Sequence, residues 1–216
     1  MTGRTRKLGT IVAVAATATL AFSAVGAHAS SAAKDADDHY SPANTQVSGH
    51  SSSTTFTVGG VITVTCTNSD AGGHTPATGL GAFAISPLPT FNDGGTAPCT
   101  DNFGGTDTTV TKGAWKLQMK DAAGDETQTE PNSGDTLVVT VPKAGAIVHN
   151  SLGCTITVAP AGSFKVTGTY DDVNKFTVSI TNLPVKVVGP AGCPTTATQS
   201  SFNGTYTFSP GVSDAS

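Results

Sequence analysis

From Phe56 to Phe208, large apolar residues recur at alternate positions in short runs broken by Gly, Pro, Asn and Asp, and no run sustains the period of about 3.6 that a helix needs. Phe56 and Val58 precede Gly59-Gly60, a turn or bulge signal, after which Ile62, Val64 and Cys66 share a face. Trp115, Leu117 and Met119 alternate with Lys116, Gln118 and Lys120. The same period runs through Leu137, Val139 and Val141, through Cys154, Ile156 and Val158, and through Phe164, Val166 and Tyr170. It returns in Phe176, Val178 and Ile180, and in Phe202, Tyr206 and Phe208. Thr and Val dominate these runs, and both suit a pleated, half-buried surface. The expectation is an all-β domain over residues 54–210: an antiparallel, immunoglobulin-like β-sandwich of about seven to nine strands, with a short tail at 211–216. "PAGS" (160–163) and "DDVNK" (171–175) have hairpin length, so residues 154–160, 163–170 and 175–182 read as a meander.

The start of the chain points to a compartment. Arg4, Arg6 and Lys7 precede the apolar run "LGTIVAVAATATLAFSAVG", and Ala27-His28-Ala29 supplies small residues for cleavage before Ser30. Residues 1–29 read as a secretory signal peptide cleaved after Ala29, with no lipid-accepting cysteine at that point and no apolar C-terminal stretch to act as a membrane anchor. Residues 30–53 are Ser/Ala/Asp-rich with almost no large apolar side chain, and read as a flexible arm. Without the leader, eight lysines face fifteen carboxylates, a formal charge of −7 with no arginine. Nucleic acid is excluded as a partner, because a phosphate backbone is held by clustered Lys and Arg. An extracellular polymer or protein is the partner class that remains.

In an oxidising exterior, the even set Cys66, Cys99, Cys154 and Cys193 reads as disulfides. Cys66–Cys99 with Cys154–Cys193 is the favoured pairing, since each bridge closes one sequence-local segment. His149, five residues before Cys154, raises the alternative of a metal or nucleophile site. There is no CxxC or HxxxH spacing, and the other histidines (His28, His39, His50, His74) are scattered, so His149 reads as a solvent-facing residue.

The segments "VITVTCTNSD", "PCTDNFGGTDTTVTKGAWKLQMKDAAGDE", "GDTLVVTVPKAGA", "GCTITVAPAG" and "FNGTYTFSP" resemble those of small Thr/Gly-rich secreted proteins of actinobacteria that have no assigned activity. The likeness spans most of residues 54–210. It implies a fold and a cysteine pattern, and brings no catalytic residue with it.

Few groups suggest chemistry. Asp121, Asp125, Glu126, Glu130 and Asp135 crowd one connection, where carboxylates could take Ca²⁺, although the spacing is not that of an EF-hand. Trp115 shares a face with Leu117 and Met119 and reads as core. No GxSxG, SxxK or HExxH is present, and Asp171-Asp172 sits where Asp is chosen for local turn bonds. No cofactor is implied. The leading reading is a secreted non-catalytic module that binds or builds at the cell exterior. The alternative is a glycan-directed extracellular hydrolase with an unrecognised carboxylate site.

Overall fold

The computed structural model describes residues 39–92, 98–120, 135–171 and 173–215. Among them there is no helix. The strands are β1 (His39–Ser41), β2 (Gln46–Ser51), β3 (Thr54–Val58), β4 (Ile62–Cys66), β5 (Ser69–His74), β6 (Phe83–Ala84), β7 (Thr90–Phe91), β8 (Cys99–Asp101) and β9 (Thr106–Thr111). They continue with β10 (Lys116–Lys120), β11 (Thr136–Val141), β12 (Ala146–His149), β13 (Thr155–Val158), β14 (Phe164–Tyr170), β15 (Lys175–Val188), β16 (Gln199–Ser209) and β17 (Ser213–Ala215).

The immunoglobulin-like sandwich expected from the sequence is not what forms. Following the antiparallel pairings β15–β13–β12–β9–β8–β4–β3–β16 leads back to β15, which closes an eight-strand barrel. The closure depends on the length of β15, which spans 14 residues and has different neighbours along its two halves. Its first half pairs with β14 through Thr169↔Thr177 and Tyr170↔Phe176, and its last residues pair with β13 from Val158↔Val185 to Thr155↔Val188. The expected meander is therefore interrupted: β13 and β14 both pair with β15 and not with each other. The β15–β16 register shifts between Ile180 and Leu183, an irregularity that lets the strand run on through Pro184.

Extra strands flank the barrel. β14, β11, β10 and β6 extend from β15, while β2, β5 and β7 extend from β16. The two flanks meet where Gly73 bridges Ile85. A Cβ on Gly73 would lie 2.6 Å from the Phe83 ring, so only glycine permits this approach.

The described part of the expected flexible arm, residues 39–53, is built into this structure. β2 pairs with both β5 and β16, and β1 pairs with β17. The Tyr40 side chain is buried, and its hydroxyl donates to the Gly81 carbonyl (3.2 Å) and accepts from the Met119 N–H (2.9 Å). Alternation holds where the sequence showed it: Ile156, Val158, Val166, Tyr170, Phe176 and Val178 all face the core. Trp115 is core as well, with its indole N–H shared between the Lys112 and Gly145 carbonyls.

Both expected disulfides form, Cys66–Cys99 and Cys154–Cys193. They fit an oxidising environment outside the cytosol. No described helix is long and apolar enough to cross a membrane.

Candidate functional site

The inward faces of the strands line an apolar cavity of about 140 Å³. Its wall includes Phe56 and Val64 from the barrel, Trp115 and Val139 from the β14 flank, and Ala71 and Gly49 from the β2–β5 flank. Small residues face large ones in this wall: Gly49 is paired with Ala71 and Val47 with Gly73, and the Phe208 and Phe83 rings lie over Gly49 and Gly73. An empty apolar cavity of this size costs a fold about 3 kcal/mol at roughly 24 cal/mol per Å³, and cavities of about 150 Å³ are known to stay dry and take up benzene or xenon.

One polar pair stands in the wall. The Tyr206 hydroxyl lies 3.1 Å from Ser69 Oγ, which also donates to the Thr90 carbonyl at 3.2 Å. Burial first, and the nearby Asp70 charge, push the Tyr206 phenol up to about 12 against the opposing Ser69 bond. It stays neutral at any physiological pH. The cavity lining includes no charged side chain, and Tyr206, Thr54 and Thr109 supply its hydroxyls.

A second cluster joins two hairpins. Asp101 ends β8, Asp107 lies in β9, and Asn150 and Ser151 lie in the β12–β13 turn. Asp101 Oδ2 accepts from Ser151 Oγ (2.6 Å) and Asn150 Nδ2 (2.7 Å), and its Oδ1 accepts from the Phe103 N–H (2.9 Å) and Gly105 N–H (2.8 Å). Asp107 Oδ1 accepts from Asn150 Nδ2 (2.9 Å) and the Ser151 N–H (3.1 Å), while its Oδ2 has no partner. Glycine is required at position 105, where a Cβ would fall 1.8 Å from Ser151 Oγ.

The two carboxyls titrate in opposite directions. Burial alone would raise Asp101, but the bonds from Ser151, Gly105, Phe103 and Asn150 outweigh it and hold the group below the usual carboxylate range. Asp107 is pushed up to about 6, by burial first and by the charge of Asp101, with the Ser151 N–H opposing. Between an ordinary carboxylate value of about 4 and the folded value of about 6, the native state binds a proton that the unfolded chain does not. Asp107 therefore favours the fold increasingly as pH drops through about 6, and the gain is complete near pH 4. Asp101 acts oppositely, since its contribution is present above the ordinary value and is lost as pH falls further. The urea midpoint is expected to rise from pH 7.5 to pH 5, and Asp107→Asn to flatten that rise. A midpoint independent of pH in the native chain would contradict this account of Asp107.

The remaining sequence candidates scatter. His149 is exposed at the end of β12, with Nδ1 3.4 Å from Thr155 Oγ1, and Cys154 beside it is held in its disulfide. Asp121, Asp125, Glu126 and Glu130 of the candidate Ca²⁺ loop lie outside the described residues, and Asp135 is buried just before β11. No cluster of three or more His, Cys, Asp or Glu occurs among the described residues. Asp171 is a turn residue as read, its Oδ1 accepting from the N–H groups of Val173, Asn174 and Lys175.

Sequence reasoning missed both the cavity and the Asp101–Asp107 cluster. The cluster's trace in the sequence is a pair of Asp flanking "NFGGT", while the cavity, lined from many strands, leaves none. No protein-family model, curated protein or solved structure matches the chain.

Proposed function

We propose that this chain is a secreted, non-catalytic binding protein that carries a small apolar molecule in its lumen. The observation behind this reading is the apolar cavity of about 140 Å³ lined by the strands. A guest there needs no charged anchor, and filling the space offsets the cost of leaving it empty. Secretion rests on the basic start, apolar run and Ala27-His28-Ala29 of the leader, together with the two disulfides. The hydrolase alternative needs two carboxyls facing a cleft that a sugar ring and water can enter. Asp101 and Asp107 are instead buried under Asn150 and Ser151, which favours a structural role for them.

Calorimetric titration with toluene and with indole tests the reading. Saturable binding at one site per chain is expected, with a rise in melting temperature at saturation. Ala71→Phe, which puts a ring into the lumen, is expected to abolish binding while the chain keeps its β circular dichroism spectrum. No saturable binding to the native chain, or binding that survives in folded Ala71→Phe, would overturn it.

A further inference from the structure

We infer that one end of the barrel is a lipid-docking surface, built from apolar hairpin tips and suited to an uncharged membrane. Six large hydrophobic residues are exposed in the described chain, and three of them occupy hairpin tips at this end: Val61 (46% exposed), Phe103 (52%) and Leu152 (40%). The tips are tied together. Asn102 of the β8–β9 turn accepts from the Thr63 N–H and donates to the Val61 carbonyl of the β3–β4 hairpin, at 2.8 and 3.1 Å. Asp101 and Asp107 bind the β12–β13 turn through Asn150 and Ser151. The β15–β16 connection packs behind them, with Pro194 3.0 Å from where a Cβ on Gly59 would sit and Cys193 bonded to Cys154.

Two features select lipid over a protein partner. First, the exposed tip residues carry no charge: Gly59, Gly60 and Val61, then 102–104, 151–153 and 189–192, include no Lys, Arg, Asp or Glu. The two carboxyls nearby, Asp101 and Asp107, are buried beneath the tips. Second, the backbone N–H groups of Val61, of residues 102–105 and of residues 150–153 are used internally. The N–H groups of Phe103 and Gly105 go to Asp101, that of Ser151 to Asp107 and that of Leu152 to Asn150. Those of Val61, Gly104 and Gly153 close their own turns. A protein partner is ordinarily recognised through a polar rim of hydrogen bonds, which these tips do not offer. The turns that carry Val61, Phe103 and Leu152 can enter the acyl boundary with the N–H groups of these three residues already paired. The near absence of basic residues argues against anionic headgroups as the attraction. The inference is independent of what the lumen holds.

Co-sedimentation of the full secreted chain with phosphatidylcholine vesicles tests it. Retention is expected, at least tenfold weaker for Phe103→Asp/Leu152→Asp and unchanged by 0.5 M NaCl, since charge does not carry it. In Phe103→Trp, quenching of the new indole by brominated acyl chains is expected, while Trp115 stays buried. Failure of the folded native chain to bind these vesicles overturns the inference, as does binding only to anionic vesicles or equal binding by the folded double variant. A concentration-dependent dimer that the double variant abolishes would assign the tips to a second copy of the chain and overturn it too.

Discussion

Replacing Cys154 and Cys193 together by serine is expected to lower the unfolding free energy by about 4 kcal/mol, the chain-entropy value for a loop closed over 39 residues. Cys154 immediately precedes β13, and Cys193 sits in the connection between β15 and β16, the two strands shared by the barrel and its flanks. Losing the bridge lengthens the accessible loops of the unfolded chain and so raises its entropy, which lowers stability. Urea unfolding followed by circular dichroism measures the change. A midpoint within error of the native one would mean that the strand pairings alone hold this end, contrary to the role assigned to the bridge.

Asp101→Ala is expected to cost about 3 to 4 kcal/mol, because four donors from Ser151, Asn150, Phe103 and Gly105 lose a charged acceptor in a buried place. Hydrogen bonds to an ion are individually the strong ones, and donors left buried without an acceptor add their desolvation penalty. Asp101→Asn should cost roughly half as much. Its amide oxygen can still serve Phe103 and Gly105, whereas its NH₂ would face the donors of Ser151 and Asn150. The order alanine worse than asparagine, worse than native, is the result to look for in urea midpoints. Equal losses for the two variants would mean that volume, and not acceptor chemistry, holds the hairpins together.

The strand faces and the disulfide pairing were legible in the sequence for physical reasons. A side chain in a strand alternates faces, so Trp115, Leu117 and Met119 or Ile156 and Val158 reveal an inner face without knowledge of the neighbours. The closed barrel was not legible, because period two says which side faces in and nothing about which edge finds which partner. The strand read over residues 175–182 also stops short: after a register shift between Ile180 and Leu183, β15 runs on through Pro184 and gains β13 as a second neighbour.

The residues read as an arm failed differently. Val47 and Tyr40 are isolated large side chains among Ser, Gly and Asn, too few to show a period, and each fills a place prepared by distant residues. Gly49 belongs to the same set: the Phe208 ring lies 3.0 Å from where its Cβ would be, so the polar look of "QVSGHS" reflects room left for an aromatic on the next strand. The cavity was invisible because its lining comes from strands far apart in the sequence, which only pairing brings together. The Asp101–Asp107 cluster needs Asn150 and Ser151, more than forty positions along the chain, to become a site.

The proposed function requires that the lumen accept an apolar guest. Anomalous diffraction from crystals soaked in bromobenzene tests this most directly. A bromine peak inside the lumen, within van der Waals contact of Phe56, Val64 or Val139 and absent from Ala71→Phe crystals, is the predicted result. Bromine confined to the outer surface of crystals that diffract unchanged would contradict it.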